Sequence, residues 1–221
     1  MIIDRSVIEL YEDNKAFYRK GLFDPNEILS LEEFSNHLNF RPAMTTERLH
    51  WVNWSDNPAN LLTWDNTSWA TNKNTWHISH IDEFLDNYVL MLIDSSQINS
   101  AVNSICADIE SVTNIQTDAH IFYSRKEGLN SFTPHWDASH NLLLQIYGHS
   151  IFTSWSDEAG ERLGNPKDIL FKKYLSPGDL VFFPRYTYHS IIPLDRRLSI
   201  SFPFNPDSGA IDGLFRDWIS I

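Results

Sequence analysis

Residues 176–193 read SPGDLVFFPRYTYHSIIP, and this stretch decides the fold. It contains two short apolar segments, residues 180–184 and 188–192, which are bounded by a Pro-Gly-Asp turn and by Pro193. Connections this short cannot hold the crossover that parallel strands need, so we expect the strands to run antiparallel. The stretch therefore predicts part of an antiparallel β-sandwich or β-barrel.

Similar short segments lie on both sides of this stretch, and turns containing glycine, proline or aspartate separate them. The further predicted strands are residues 119–124, 141–147, 151–155, 169–174 and 198–204. We therefore expect a β-barrel core over residues 117–205. No linker rich in proline, glycine or serine marks a boundary, so the whole chain, 1–221, is predicted to form one domain.

Residues 1–116 have a different texture and are predicted to be mainly helix and loop. Apolar residues recur at helical spacing over residues 6–18 and 96–112. Ser30 and Glu33 form a capping-box pattern that predicts the start of a short helix. Five tryptophans fall within residues 51–76. They either form an aromatic wall beside a pocket or anchor a loop-rich layer onto the core, and both interpretations stay open.

The C-terminal residues 207–221 are predicted to form a last helix. An apolar stripe recurs there at three- and four-residue spacing, from Ile211 to Ile219. Such a stripe can pack on its own domain, or it can pair with a second copy of the chain. The sequence thus leaves a homodimer through this helix as an open alternative.

Composition excludes several classes of protein. The 221 residues carry a net charge of −12, which disfavours binding to a nucleic-acid backbone. No apolar run approaches the ~18 residues that a membrane span needs, and no secretory signal precedes the first helix. The single cysteine, Cys106, excludes a disulfide framework and is expected to be a buried thiol. These features predict a cytoplasmic protein.

The residues that carry chemistry lie around the segment TPHWD, residues 133–137. In an extended segment His135 and Asp137 point to the same face, side by side. A second histidine, His189, follows the Pro-Gly-Asp turn and an apolar strand, and an antiparallel return can bring it beside the first pair. Two histidines and one carboxylate on one face of a metal form the facial triad of non-haem iron(II) oxygenases.

Two blocks, residues 133–148 and 176–184 with the following Tyr188-His189, resemble the JmjC-type and cupin-like 2-oxoglutarate oxygenases. The resemblance covers roughly residues 119–204. It implies a mainly β fold, a double-stranded β-helix (jelly roll) with flanking N-terminal helices. It also implies Fe(II) held by His135, Asp137 and His189, with 2-oxoglutarate as co-substrate. Thr133 and Asn141 match positions that touch the co-substrate in some members.

One position departs from that family. A lysine or arginine usually pairs there with the far carboxylate of 2-oxoglutarate, and this chain has Ser150. Arg197 is the predicted replacement, because residues 197–202 alternate between polar and apolar side chains. Arg197 and Ser199 resemble the Arg-x-Ser carboxylate clamp of plant small-molecule dioxygenases. The alternative is that this face meets solvent. Tyr123 is either a further hydroxyl of the clamp or a core residue.

We therefore expect an Fe(II)- and 2-oxoglutarate-dependent oxygenase, most simply a hydroxylase. Its substrate is either a protein or peptide or a small molecule. The alternative, which Ser150 favours, is a metal-binding cupin without oxygenase activity, such as a sensor, an isomerase or a binding module. A response of the iron-loaded protein to 2-oxoglutarate distinguishes the two classes.

Overall fold

The computed structural model describes residues 3–38, 49–52, 81–129, 132–161 and 164–208. Residues 209–221 of the predicted last helix (207–221) and most of the tryptophan-rich segment (51–76) therefore lie outside the described residues. The packing of that helix on its own domain or on a second copy, and the role of the tryptophans, stay untested. None of the helices in the described ranges has the length and apolar character of a membrane-spanning segment.

The described chain is rich in strands, and its helices lie in the N-terminal half. The helices are α1 (Arg5–Glu9), α2 (Leu31–Leu38), α3 (Ile81–Asn87) and α4 (Ser100–Thr113), with short 3-10 turns at Leu10–Asp13, Pro25–Glu27 and Pro206–Ser208. The strands are β1 (Phe17–Arg19), β2 (Leu49–Val52), β3 (Val89–Leu92), β4 (His120–Ser124), β5 (His140–Tyr147), β6 (Ser150–Trp155), β7 (Ile169–Leu175), β8 (Leu180–Phe183), β9 (His189–Pro193) and β10 (Arg197–Phe204).

Two antiparallel sheets form the predicted double-stranded β-helix. The larger sheet has the strand order β1-β8-β5-β10-β4-β3-β2, and the smaller has the order β7-β6-β9. A bridge between His135 and His189 adds the segment around His135 to the smaller sheet. All seven strands predicted from residue 119 onward are present within one residue of their expected bounds.

The two faces of the larger sheet have different partners, as strand β10 illustrates. Leu198, Ile200 and Phe202 belong to the main core, which includes residues of α1, α2, α3 and α4. Arg197 and Ser201, which alternate with them, line a cavity inside the barrel. A second cluster of buried residues fills the rest of the barrel and consists of Leu143, Phe152, Leu175, Val181 and Phe183. Strand alternation thus separates a helix-covered face from a site-bearing face.

The prediction for the N-terminal part is partly wrong, because it also supplies three strands. Helix α1 and the following turn end at Asn14, whose φ of 50° lies in the left-handed region that terminates helices. Phe17–Arg19 then pairs with β8 instead of continuing a helix to residue 18. The aromatic rings of Phe17 and Phe182 stack at 5.1 Å across this pair. Contact with the sheet therefore overrides the local helical spacing.

Two local predictions for the helices are confirmed. Glu33 N–H donates to Ser30 Oγ at 3.1 Å, and Ser30 N–H donates to Glu33 Oε2 at 2.8 Å, which is the reciprocal capping box. Cys106 is buried on α4, and burial raises the pKa of its thiol to about 12. A thiol that stays protonated at neutral pH is a poor nucleophile, so Cys106 serves packing.

His140 opens β5 three residues after Asp137 and is buried among aromatic rings rather than exposed at the site. Its ring stacks on Phe182 at 5.8 Å, and its Nδ1 accepts a hydrogen bond from Arg185 N–H at 3.3 Å. Burial, with a smaller effect of the Arg185 guanidinium, lowers the pKa of His140 below its ordinary value of 6.5. The folded protein therefore favours the neutral imidazole.

This shift predicts a pH-dependent loss of stability. As the pH falls below about 6.5, the unfolded chain binds a proton at residue 140 that the folded chain does not. We expect the free energy of unfolding to decrease from about pH 6.5 downward, until the lower folded pKa is reached. His140→Gln should reduce this decrease, as measured by urea unfolding at a series of pH values. A wild type and variant with the same pH dependence would contradict the prediction.

Candidate metal centre

The backbone brings His135 and His189 together although 53 residues separate them in the sequence. His135 N–H donates to His189 C=O at 3.1 Å, and His189 N–H donates to His135 C=O at 2.8 Å. This reciprocal pair is a short antiparallel bridge at the start of β9. The ring centroids of the two histidines lie 4.3 Å apart. Main-chain pairing, rather than side-chain contacts, therefore sets the spacing of the two imidazoles.

Asp137 completes a cluster of three potential metal ligands. One ligand atom from each of His135, Asp137 and His189 can be chosen so that all three lie within 4.8 Å of one another. His135 Nε2 lies 3.9 Å from Asp137 Oδ1, and His189 Nε2 lies 3.7 Å from Asp137 Oδ2. The exposed fractions of these side chains are 12%, 28% and 4% respectively. Among the three side chains, that of Asp137 is thus the most accessible and that of His189 is almost fully buried.

In both histidines a contact of the Nδ1 nitrogen orients the imidazole ring. His135 Nδ1 lies 2.9 Å from the carbonyl oxygen of Thr133, and His189 Nδ1 lies 2.9 Å from that of Thr187. A carbonyl oxygen only accepts hydrogen bonds, so each Nδ1 carries a proton, and in the neutral ring Nε2 is then the nitrogen that can bind a metal. Metal-binding histidines commonly show this arrangement.

The electrostatics of the cluster keep His189 neutral. Burial, together with the nearby His135, lowers the pKa of His189 to about 4, and the opposing effect of Asp137 is smaller. A neutral imidazole is the form that binds a metal ion. No proton has to be removed from His189 at neutral pH before a metal can bind.

Asn141, one residue into β5, contacts the metal-ligand cluster through its side chain. Its Nδ2 lies 3.5 Å from Asp137 Oδ2 and donates to the carbonyl oxygen of Ser139 at 3.2 Å. Ser201 Oγ donates to Asn141 Oδ1 at 3.0 Å from the neighbouring strand β10. The Ser201 hydroxyl fixes which end of the amide faces Asp137, so Asn141 can orient the carboxylate.

This contact predicts a role for Asn141 in metal affinity. Asn141→Ala removes the donor beside Asp137 Oδ2, and losses of such supporting contacts typically weaken metal binding about tenfold or more. We expect that increase in the dissociation constant for Co²⁺, measured by competition with a chelator. Asn26→Ala, which removes an exposed amide bonded to Asp24, is the matched control and should leave the affinity unchanged. Equal affinities in both variants would contradict the assignment.

A cavity of about 200 Å³ connects the three candidate ligands to the interior of the barrel. Its wall is mainly apolar, and its polar side chains cluster on β4, β5 and β10. The residues around it are Met91, His120, Phe122, Phe132, Ser139, Asn141, Leu143, Phe183, Ile191, Arg197, Ser201 and Pro203, together with the three candidate ligands. A largely apolar cavity with a few convergent polar groups is typical of a small-molecule site.

Arg197 lines this cavity, as the alternation of β10 predicts, and does not face solvent. The residue is 1% exposed, and its Nε and Nη1 have no hydrogen-bond partner among the described residues. Burial lowers the pKa of Arg197 to about 10, which still leaves the guanidinium charged at neutral pH. A buried cation without a counter-charge is costly, so this part of the cavity fits an anion.

The other residues expected near the co-substrate, which are Ser199, Thr133 and Tyr123, lie in three different surroundings. Ser199 lies on the same face of β10 as Arg197, and its Oγ is buried. Thr133 is exposed, and its carbonyl oxygen lies 2.9 Å from His135 Nδ1, so a contact of its side chain with the co-substrate stays a prediction. For Tyr123 the structure shows the second of the two alternatives, a core residue. Tyr123 belongs to the main core, where its ring lies 5.5 Å from that of Phe34, because alternation on β4 turns it away from the cavity.

Ser150 stands where the family usually has a basic residue, and its hydroxyl is hydrogen-bonded within the protein. Its Oγ donates to Gln145 Oε1 at 2.9 Å, and Gln145 Nε2 in turn donates to the carbonyl oxygens of Tyr147 and Gly148.

The sequence did not predict four residues of the cavity wall, which are Met91, His120, Phe122 and Phe132. For His120 and Phe122 a signal exists, because strand alternation from Ser124 places them on the face of Arg197.

Comparisons with known proteins agree with this arrangement. A family model described as the JmjC domain matches residues 92–210, which is just over half of the 221 residues. The sequence is also 29% identical to the bifunctional lysine-specific demethylase and histidyl-hydroxylase NO66 of Caenorhabditis briggsae. That alignment covers 31% of this chain and 11% of the relative.

Solved structures of YcfD from Escherichia coli have a similar fold. An X-ray structure of YcfD matches with a TM-score of 0.65 and 16% identity, covering 96% of this chain and 56% of that chain. The complex of YcfD, described as a ribosomal oxygenase, with cobalt and 2-oxoglutarate matches with a TM-score of 0.62 and 16% identity. That match covers 93% of this chain and 52% of the other. The chain thus spans about half the length of these structures.

Proposed function

The chain belongs to the JmjC domain family, and on that premise we propose that it is an Fe(II)- and 2-oxoglutarate-dependent oxygenase, most simply a hydroxylase. One observation carries the proposal. His135, Asp137 and His189 converge on the same cavity as the buried guanidinium of Arg197, whose Nε and Nη1 have no hydrogen-bond partner among the described residues. A metal-binding triad and a cation in one cavity suit a co-substrate that is a metal chelator at one end and a carboxylate at the other.

The donor set fits Fe(II). Two imidazoles and one carboxylate on one side of a metal leave further coordination positions open, which is the pattern of non-haem iron(II) oxygenases. Iron in such a site, with 2-oxoglutarate and oxygen, supplies the oxidising chemistry that hydroxylates a C–H bond and yields succinate and carbon dioxide. Here His135, Asp137 and His189 would hold the metal.

The other residues of the cavity bind and orient. Arg197 holds the far carboxylate of 2-oxoglutarate by a charge-assisted hydrogen bond. Asn141, fixed by Ser201, orients the carboxylate of Asp137. The apolar side chains of Phe132, Leu143 and Phe183 line the same cavity and limit the entry of water. No general base in the protein is required, because the metal and the co-substrate carry the oxidation.

We further propose that the substrate is a protein or peptide side chain. The names of the relatives support this class, since YcfD is described as a ribosomal oxygenase and NO66 as a histidyl-hydroxylase and lysine-specific demethylase. The net charge of −12 favours a basic protein segment through electrostatic steering. A small-molecule substrate is the alternative outcome of a substrate screen. A cytoplasmic location stays a prediction of the sequence, and a homodimer through residues 207–221 stays one of the two alternatives that the sequence leaves open.

The proposal is tested by following 2-oxoglutarate turnover. The iron-loaded protein is incubated in air with 2-oxoglutarate and a panel of basic peptides, and succinate is quantified. We expect succinate formation that requires iron and is lost in Asp137→Ala, whereas Cys106→Ala retains it. A protein that binds iron but forms no succinate with any peptide or without one would favour a cupin that is not an oxygenase.

A further inference from the structure

Strand β7 forms one edge of the smaller sheet. In the order β7-β6-β9 it pairs with β6 alone among the described strands, so its other edge has no partner strand in that part of the chain. Its residues are exposed except for the half-buried Phe171 and the buried Leu175. The unpaired N–H and C=O groups of such an edge are a template for the addition of another strand.

Large apolar side chains are exposed along this edge. Ile169, Leu170 and Tyr174 have exposed fractions of 58%, 52% and 56%, the three highest values among the large apolar side chains of the described residues. Exposed apolar surface that is concentrated in one place marks interaction sites on soluble proteins. Strand β7 therefore has the character of a binding edge.

A groove of about 400 Å³ adjoins the N-terminal end of β7. Its apolar surface comes from Ala16, Trp155, Leu170, Phe171, Pro184 and Tyr186. Among the described residues, the groove shares no lining residue with the cavity of the metal centre. A segment that lies along β7 can place one apolar side chain in this groove.

The charges around β7 indicate the sign of its partner. Lys172 and Lys173 lie in the middle of the strand, and Lys15 lines the groove. None of the three forms an ion pair with another described residue, although the Lys173 ammonium lies 5.5 Å from the centre of the Tyr18 ring. This edge therefore has the opposite sign to the chain as a whole, whose net charge is −12, and it attracts an acidic segment.

The same lysines disfavour a second copy of the chain as the occupant. Lys172 is the central residue of Ile169–Leu175, so full-length antiparallel pairing of two β7 strands places Lys172 opposite Lys172 of the second copy. Like charges that lie directly opposite each other are destabilising, and edge lysines commonly prevent self-pairing in this way. Pairing with an acidic strand replaces that repulsion by attraction.

We propose that β7 binds an extended acidic segment of another protein as an additional strand of the smaller sheet. Main-chain hydrogen bonds to the unpaired edge supply affinity, and alternate side chains of the segment supply specificity. An acidic residue of the segment lies beside Lys172, and an apolar residue enters the groove. This interaction surface lies outside the metal centre and does not depend on the proposed function.

The probe that tests the proposal is a synthetic nine-residue peptide in which valine or isoleucine alternates with glutamate. It is capped at both ends and labelled, and its binding is followed by fluorescence anisotropy. We expect saturable binding of one peptide per chain. Methylation of alternate main-chain nitrogens removes several hydrogen-bond donors, so the methylated peptide should bind at least about tenfold more weakly. A peptide with lysine in place of glutamate should also bind more weakly.

A charge reversal in the protein tests the assignment of Lys172. Lys172→Glu should weaken the binding of the glutamate peptide about fivefold or more and strengthen that of the lysine peptide, because it reverses the sign at one cross-strand position. Lys126→Glu makes the same change of net charge at an exposed residue whose Nζ lies 3.2 Å from Asp86 Oδ1. This control should bind both peptides as the wild type does. Melting temperature checks that each variant is folded.

Several results would overturn the proposal. They are equal affinities for the glutamate and lysine peptides, equal affinities for the methylated and unmethylated peptides, or a wild-type protein that binds none of them. Displacement of the peptide by a nine-nucleotide single-stranded DNA would assign the edge to nucleic acid instead. A wild-type dimer that dissociates in Leu170→Asp, measured by sedimentation, would assign it to a second copy. Succinate formation is measured separately, so none of these results bears on the proposed function.

Discussion

We expect iron binding to be lost when any one of His135, Asp137 and His189 is replaced by alanine, while the protein stays folded. Each change leaves two of three protein ligands, which is too few to hold Fe(II) on one face. The fold should survive because main-chain hydrogen bonds, which alanine retains, join residues 135 and 189. Iron content after anaerobic reconstitution, with circular dichroism as the measure of folding, checks the result.

A histidine outside the cluster supplies the matched control for this experiment. His149 is partly exposed and its Nδ1 lies 2.6 Å from Asp195 Oδ2, in the turn between β5 and β6. His149→Ala should therefore retain full iron stoichiometry. Unchanged iron content in a variant of His135, Asp137 or His189 would remove that residue from the proposed triad.

Arg197→Ala is expected to raise the 2-oxoglutarate requirement at least about tenfold and to leave iron binding nearly unchanged. A hydrogen bond to a charged group contributes roughly 1.5–3 kcal/mol, and about 1.4 kcal/mol corresponds to a factor of ten in affinity. Arg197 lines the cavity without being a candidate metal ligand. The measurement is a titration of 2-oxoglutarate into the anaerobic iron protein.

Arg196 supplies a control that separates a specific role of Arg197 from the general effect of removing one positive charge. Arg196 is exposed, and its guanidinium lies 5.3 Å from the centre of the Tyr123 ring. Tyr123 belongs to the face of the larger sheet that is turned away from the cavity. Arg196→Ala removes the same net charge as Arg197→Ala without altering the cavity. Equal 2-oxoglutarate affinities of wild type and Arg197→Ala would mean that another group holds the co-substrate.

The barrel and the candidate ligands could be predicted because their signals are local. Turn residues bound each strand from residue 119 onward, and the two-residue period places His135 and Asp137 on one face. The same period correctly turns Arg197 inward. These features depend on the geometry of a few consecutive residues, so they can be predicted from the sequence alone.

Other features depend on contacts between distant segments. Phe17–Arg19 becomes a strand because it meets β8, and nothing within residues 6–18 signals that partner. The period that places Arg197 in the cavity also places Tyr123 in the core, but only once the register of β4 against β10 is known.

Visible absorption of the anaerobic iron protein during addition of 2-oxoglutarate tests the central claim most directly. If the metal and Arg197 hold the two ends of the co-substrate, a new absorption band appears and saturates at one equivalent per chain. The band should be absent in His189→Ala and should need much more 2-oxoglutarate in Arg197→Ala. A wild-type protein that binds iron but shows no spectral change at saturating 2-oxoglutarate would contradict the account.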